Sequence, residues 1–495
     1  MKESNKQLGR GTIYIYIESV AAMIFGYIFW IILSRIGTIE IIGTFSAIVS
    51  LAGIFAVIAS FGIPEGIQRF LGKFFYQQKL NEAKVFVNSS LILVSAGIIL
   101  CVLLILILRD WMYGVFAFDF SLIIALITLI ASSTIYLLLH SIVISSLNTK
   151  ILPATMIISW IVRIALGTVI ISIGAGAIGV ALVYSFGQIV ASVLLGTTII
   201  MIFKNSAMSK GSEVNFSKAS KDISVSSAAS WIPDLVMIIG IQLGTVVVFG
   251  TRGSNEAALY FISLTIVTGI TAVVYSIFTI SLPALSSMED GRKRFAWHTI
   301  RLSSIISLPF TSSLIFYSKD IMQLIGQDYI EGSLSLQILL LSMLPTAVQA
   351  GIGSLVYSYG HYRNFLVIGL ASSIPRTILY FILVPIYGST GASLAYTIGA
   401  LVGFAVSIIT AKRIGMLLFW RDLALIFFIP IALGFILEYL HVNYIIAIIA
   451  TVMSSYALFM KLHILTRSDI QYSLKILPDR ISNPIFNLLA RHSRK

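Results

Sequence analysis

Four ionisable residues stand well inside long apolar runs: Glu18, Arg163, Asp234 and Arg376. A charge at the centre of a membrane helix costs roughly 2.5–3.5 kcal/mol on the insertion scale. Such side chains face a protein interior or a water-filled cavity, and they have chemistry to offer there. A guanidinium is a planar fork of donors that matches phosphate oxygens. Arg163 and Arg376 together would grip a phosphate or a diphosphate. A buried carboxylate holds its proton more tightly than one in water, and an opposite charge draws it. Glu18 and Asp234 are therefore candidates for coupling or gating by H+ or Na+. The alternative is structural, with Glu18–Arg163 and Asp234–Arg376 as buried ion pairs. Gln188, Gln242, Gln349 and Asn88 are lesser polar positions, read as hydrogen bonds between helices.

The elements that must carry these residues are membrane helices. Of 495 residues, 58% are hydrophobic and only 11% charged, against about 25% charged in soluble domains. Mean hydropathy is +0.98. Apolar runs of about 20 residues, the length that spans a bilayer core, recur along nearly the whole chain. We place fourteen, near 12–33, 41–63, 85–108, 120–144, 151–172, 178–203, 224–249, 259–287, 299–317, 333–358, 365–386, 391–411, 422–439 and 444–464. An open sheet would leave backbone groups unsatisfied in lipid, and the alternating strand pattern of a barrel is absent. The expected class is an all-α polytopic membrane protein. The first run reads as a retained helix, not a cleaved signal peptide. Cys101 is the single cysteine, so no intrachain disulfide forms.

An even helix count puts both termini on one side. Of the 33 Lys and Arg, only Arg35, Arg109, Arg252 and Lys319 fall in loops of the opposite side, while Arg163, Arg301 and Arg376 lie within helices. The positive-inside rule then makes both termini cytoplasmic. The net charge of +13 is thus a matter of topology and gives no reason to invoke nucleic acid. The Ile-rich, low-Cys composition suits the cell membrane of a prokaryote.

The chain repeats itself. Residues 176–187 read GAIGVALVYSFG and residues 388–399 read GSTGASLAYTIG; both fit G-x-x-G-x-x-L-x-Y-x-x-G, 212 residues apart. Upstream, SWIVRIAL carries Arg163 and SSIPRTIL carries Arg376, 213 residues apart. GTIEIIGTF from Gly37 and GSNEAALYF from Gly253 agree more weakly, 216 residues apart, and that offset also takes Glu18 onto Asp234. Six helices per copy is an even number, so the two copies are parallel. Transporters with parallel repeats bind substrate between the halves near the midplane. The expected division is an N-terminal lobe over 1–203, a cytoplasmic linker over 204–222 and a second lobe over 223–411. Two extra helices over 412–464 and a basic cytoplasmic tail over 465–495 complete it. The repeated glycines are otherwise read as ordinary close packing between helices.

Residues 60–84, SFGIPEGIQRFLGKFFYQQKLNEAK, form an unusually charged inner loop. Pro64 suits the first turn of a helix. Ile67, Phe70, Leu71, Phe74 and Phe75 then recur at helical spacing, with Gln68, Arg69, Lys73 and Gln77 mainly on the other side. This predicts an amphipathic helix at the cytoplasmic interface. It is either a topology anchor or a lip, marked by Pro64, Arg69 and Lys73, at the mouth of a cavity.

No nucleotide-binding loop is present, the six histidines show no metal spacing, and no acid–base constellation lies in a soluble domain. The expectation is neither an enzyme nor an ATP-driven pump, with no cofactor or metal. Energy would come from an ion gradient, the membrane potential or the substrate gradient.

These residues resemble a known family. FGIPEGIQRFL is similar to the G-[IL]-P-x-x-[IL]-x-R-[FY] segment of polysaccharide-biosynthesis flippases. LVPIYGSTGASLAYTIG, from Leu383, is similar to their P-x-Y-G-x-x-G-A segment at helix 12. They belong to the multidrug/oligosaccharidyl-lipid/polysaccharide exporter superfamily. The resemblance implies a V-shaped pair of six-helix lobes that open alternately to either side. It implies a polyprenyl (di)phosphate-linked oligosaccharide as cargo, moved from inner to outer leaflet by a monomer among membrane lipids and glycan-assembly enzymes. It also implies a cationic cavity, for which Arg301 joins Arg163 and Arg376, and a lipid-tail groove beside the two extra helices. Glu18 and Asp234 depart from a purely cationic cavity and point to cation coupling. The competing reading is a cation-coupled multidrug or metabolite exporter of the same superfamily. A non-transporting scaffold for envelope assembly is a third.

Overall fold

A computed structural model describes residues 2–204 and 215–465. Most of the expected linker, and the expected basic tail beyond its first residue, lie outside the described residues. Every regular element among the described residues is helical. The first ten helices are α1 (Lys2–Ile36), α2 (Ile39–Ser60), α3 (Ile63–Tyr76), α4 (Leu80–Ile107), α5 (Arg109–Phe116), α6 (Phe120–Ser145), α7 (Ile151–Ser172), α8 (Gly176–Lys204), α9 (Phe216–Arg252) and α10 (Ser254–Ser287). There follow α11 (Arg292–Phe316), α12 (Ser318–Ile325), α13 (Ser333–Leu340), α14 (Met343–Ser358), α15 (Tyr362–Arg413), α16 (Trp420–Tyr439) and α17 (Tyr444–Lys461), with a 3-10 turn at Gln327–Gly332.

Thirteen stretches among the described residues are long and apolar enough to cross a membrane. One of them, the 52-residue α15, leaves helical geometry at Gly388, where φ is 58° and ψ −133°. It therefore holds two of the expected spans, and all fourteen are accounted for. The protein is a multi-pass membrane protein. The short helices α5 and α12 lie outside the expected spans. In α5 Met112 and Phe116 are buried while Trp111 and Tyr113 are exposed, a one-sided pattern too short to register as a span. Polar caps start several helices: Asp119 accepts from the Leu122 amide at 2.8 Å, and Thr38 from Ile41 at 3.4 Å, satisfying donors that have no partner inside the helix.

One compact unit consists of Met1–Ile262 and Arg376–Ala395. In it α1 lies along α7, α7 and α6 flank α8, and α2 packs on α6 and α9. A cluster of rings from Phe29, Trp30, Phe45, Trp160, Tyr184 and Phe261 fills one part of its core. Helix α3 follows a turn in which Phe61 and Gly62 are both left-handed, at φ 48° and 67°, and Pro64 stands in its first turn. Its apolar face packs on protein. Ile67 and Leu71 are fully buried, and Phe70, Phe74 and Phe75 pack on the same cluster, formed with α4, α6 and α9. The interface placement expected from amphipathicity is corrected in this respect: protein covers the face, because Gly62 and Gly66 let the α3 backbone approach Ser227 and Trp231 of α9.

The other unit consists of Ser263–Pro375 and Tyr396–Lys495. Its centre is α11, which contacts α13, α14, α16 and α17. Ser303, Ser307, Thr311 and Ser313 of α11 are buried, and each donates to a carbonyl of its own helix. Short side chains whose hydroxyls are satisfied in this way let helices meet closely in lipid. Between elements, Thr397 donates to the Ile338 carbonyl at 2.8 Å, and Gln337 reaches Ile315 and Ser318.

Candidate functional site

The most distinctive polar group of the first unit is Arg163, twelve residues into an otherwise apolar α7 and only 3% exposed. Its guanidinium carbon lies 4.5 Å from the Trp160 ring and 4.1 Å from the Tyr184 ring. Desolvated cation–π contacts of this kind are worth about 2 kcal/mol. No carboxylate lies within ion-pair distance, and its Nε has no hydrogen-bond partner among the described residues. The side chain runs over Gly187, where a Cβ would come within 2.9 Å of the arginine Cδ. Ser159, one turn below, donates to the Gly187 carbonyl at 2.7 Å and fastens α7 to α8. In the first copy the motif has a physical meaning: its tyrosine stacks on the arginine and its last glycine makes room for it. Its first glycine has φ 62° at Gly176 and 58° at Gly388, left-handed in both copies, where a side chain would be strained.

Glu18 does not pair with Arg163. Its buried carboxylate meets His140 Nε2 at 3.0 and 3.2 Å, and the Tyr136 hydroxyl donates to it at 3.5 Å. Tyr136 lies within electrostatic reach of both Glu18 and Arg163. Gln188 of α8 donates to Ser133 at 3.5 Å, the interhelical hydrogen bond expected of it. Tyr136, His140, Tyr184 and Gln188 are partly exposed, while Glu18 and Arg163 are buried.

The second arginine of the repeat sits differently. Arg376 is buried, and its Nη1 donates to the Gly240 carbonyl at 3.4 Å. Tyr380 donates to the same carbonyl at 3.1 Å and meets Tyr260 at 3.2 Å, over Gly244, which has no side chain to displace them. Nearby, Arg252 donates to the carbonyls of Pro385 and Ile386, while Glu256 accepts from the Ser389 amide at 2.8 Å. A cation on the last carbonyls of one segment and a carboxylate on the first amide of the next is the charge order that helix dipoles favour. The pair pins the break at Gly388.

Asp234 follows Pro233 in α9 and forms no ion pair among the described residues, so the alternative Asp234–Arg376 pair is not made. Its charge acts instead on Glu65, in the first turn of α3. Desolvation pushes the Glu65 carboxyl above the usual carboxylate range, a backbone hydrogen bond draws it back, and Asp234 adds a smaller push upward. Arg69 and Lys73 are exposed, and Gln68 donates to Ser141 at 2.5 Å, whose hydroxyl bonds the Pro64 carbonyl. Arg301, in the second unit, faces Asp422 of α16 at 3.6 Å and His298 at 3.2 Å. Gln242 meets Ser50, and Gln349 reaches the Ile368 carbonyl, as interhelical hydrogen bonds; Asn88 is exposed.

Sequence reasoning missed His140. The residue lies in an apolar run, LLLHSIV, and the rule that singled out Glu18 applies to it equally. A search of histidines for metal spacing passes over it. Tyr184 and Gly187 were legible as motif letters, but that both of them, with Trp160, meet Arg163 was not.

The helix order and packing are those of an exporter fold. A structure titled as the lipid II flippase MurJ in an inward closed conformation matches with TM-score 0.69 and 17% identity, covering 92% of this chain and 99% of that one. An inward-facing multidrug resistance MATE transporter of the MOP superfamily matches with TM-score 0.63 and 15% identity, over 80% and 93%. A MOP superfamily transporter from Pyrococcus furiosus, titled for the reverse polarity of its binding pocket, matches with TM-score 0.52 and 16% identity, over 82% and 95%. At these identities the likeness is one of fold. Curated protein sequences give no match. The family model described as polysaccharide biosynthesis protein matches residues 8–289, and the chain belongs to that family.

Proposed function

We propose that this protein is a flippase. It moves a polyprenyl monophosphate- or diphosphate-linked oligosaccharide from the inner to the outer leaflet of a prokaryotic cell membrane, by alternating access, for surface polysaccharide or glycoprotein glycan assembly. Membership of the polysaccharide biosynthesis family and the exporter fold support the reading. The observation that carries it is Arg163, a buried cation with aromatic faces around it and no carboxylate. A buried charge costs several kcal/mol in desolvation, and a phosphate arriving at the Tyr184 side supplies the missing acceptor. Arg376 is the second phosphate contact. Arg301 already has Asp422, so it comes after those two. Glu18 and Asp234 are the coupling or gating carboxylates for H+ or Na+, and Pro64, Arg69 and Lys73 form the cytoplasmic lip. The protein works as a monomer, with both termini cytoplasmic, and catalyses no covalent step. Glycan-assembly enzymes make its cargo and use it.

The test is reconstitution of the purified protein in vesicles. Transbilayer movement of a lipid-linked oligosaccharide is compared with efflux of a cationic dye. Movement of the lipid without dye efflux is expected. Dye efflux without lipid movement would instead make the protein a cation-coupled exporter of the same fold.

A further inference from the structure

We infer that His140 sets the charge of the Arg163 site and so decides when an anion binds there. The inference rests on the reading of Arg163 as the anion's seat. Three groups carry the formal charge of this cluster: Arg163 on α7, Glu18 on α1 and His140 on α6. Glu18 is buried and holds His140 Nε2 with both carboxylate oxygens, at 3.0 and 3.2 Å. Tyr136, one turn from His140, donates to Glu18 and lies in the field of Arg163, so it links the pair to the arginine. With His140 neutral, Arg163 and Glu18 cancel. An anion would then leave a net negative charge in a membrane interior, which is costly. With His140 protonated, one positive charge is uncompensated, and an anion brings the cluster to neutrality. Imidazole is, in general, the side chain that changes charge near neutrality.

Among the described residues, the packed elements add no competing charge beside the pair. Facing the pair are Tyr136 on α6, Arg163 on α7 and Tyr184 on α8, with half-buried Tyr14 one turn before Glu18. Helix α2 carries Glu40 alone, in its first turn. Helix α3 turns Gln68 to Ser141, carries Glu65 in its first turn and keeps Arg69 and Lys73 exposed. On α4, Glu82 lies in the first turn and Lys84 is exposed. Lys150, which precedes α7, is exposed, and Lys204 is the last residue of α8. Anion binding and protonation of His140 are therefore linked: each strengthens the other by the same factor.

The experiment uses the full-length protein in nanodiscs and farnesyl sulfate as the probe. A sulfate monoester keeps one negative charge between pH 5.5 and 8.5, so any pH dependence belongs to the protein. The wild type is expected to bind it about tenfold more tightly at pH 5.5 than at 8.5, the scale of one added charge acting at close range in a partly screened interior. His140→Gln should flatten the profile at the weak level. Glu18→Gln removes the compensating anion and should flatten it at the tight level, which keeps the test decisive where the histidine variant folds poorly. A wild-type pH profile in both variants, with binding abolished by Arg163→Gln, would overturn the role of His140 and leave the arginine seat standing. Unchanged binding in Arg163→Gln would overturn the seat itself.

Discussion

Arg163 and Arg376 occupy corresponding places in two copies of one sequence pattern, yet their surroundings differ. Arg163 is held by two aromatic faces and lacks a carboxylate. Arg376 donates to the carbonyl of Gly240, beside a pair of hydrogen-bonded tyrosines. Where Trp160 precedes the first arginine, Ser373 precedes the second. Duplication preserved the charge, and divergence gave it different partners. A cation with a protein acceptor stabilises the fold. A cation without one is a standing cost, which an acceptor from outside the protein would relieve.

The comparison can be broken first at the second glycine of the motif. A Cβ on Gly391 would lie 2.7 Å from the Leu383 carbonyl carbon, which is backbone and cannot yield. On Gly179 it would meet a γ-methyl of Ile170 and the Cβ of Ala175, side-chain atoms in place of a carbonyl. Gly391→Ala should cost more than about 3 kcal/mol and Gly179→Ala about 1–3 kcal/mol, the usual range for overpacking, read by thermal unfolding in detergent. Equal losses would mean that the two copies pack alike there.

A smaller effect sharpens the contrast between the arginines. Arg376→Gln should lower stability by about 1 kcal/mol, as the loss of a hydrogen bond does. Arg163→Gln should leave the melting temperature unchanged or raise it. It removes cation–π contacts worth about 2 kcal/mol, but it also removes a desolvation cost of several kcal/mol. Destabilisation by Arg163→Gln as large as that by Arg376→Gln would make the first arginine structural.

Much of this was legible in the sequence. Hydropathy located all fourteen spans, because lipid demands length and apolarity of every crossing. The repeat could be read as letters, but its glycines read only as close packing, and the left-handed turn at the first of them did not show. What stayed hidden were partners. Glu18 and Arg163 have opposite charges on neighbouring helices, and sequence cannot tell that His140 stands nearer to the carboxylate. The amphipathic face of α3 signals burial, but periodicity does not say whether lipid or protein covers it; Gly62 and Gly66, seen against α9, do. Arg301 looks as available as Arg163 until Asp422 is brought beside it by folding.

The most direct measurement is transbilayer movement of a lipid-linked oligosaccharide in vesicles containing Arg163→Gln protein, with its melting temperature taken from the same preparation. Movement should fall at least tenfold, about 1.4 kcal/mol or more of lost substrate or transition-state stabilisation, with no fall in melting temperature. Wild-type movement by the variant, or loss of movement in step with loss of stability, would contradict it.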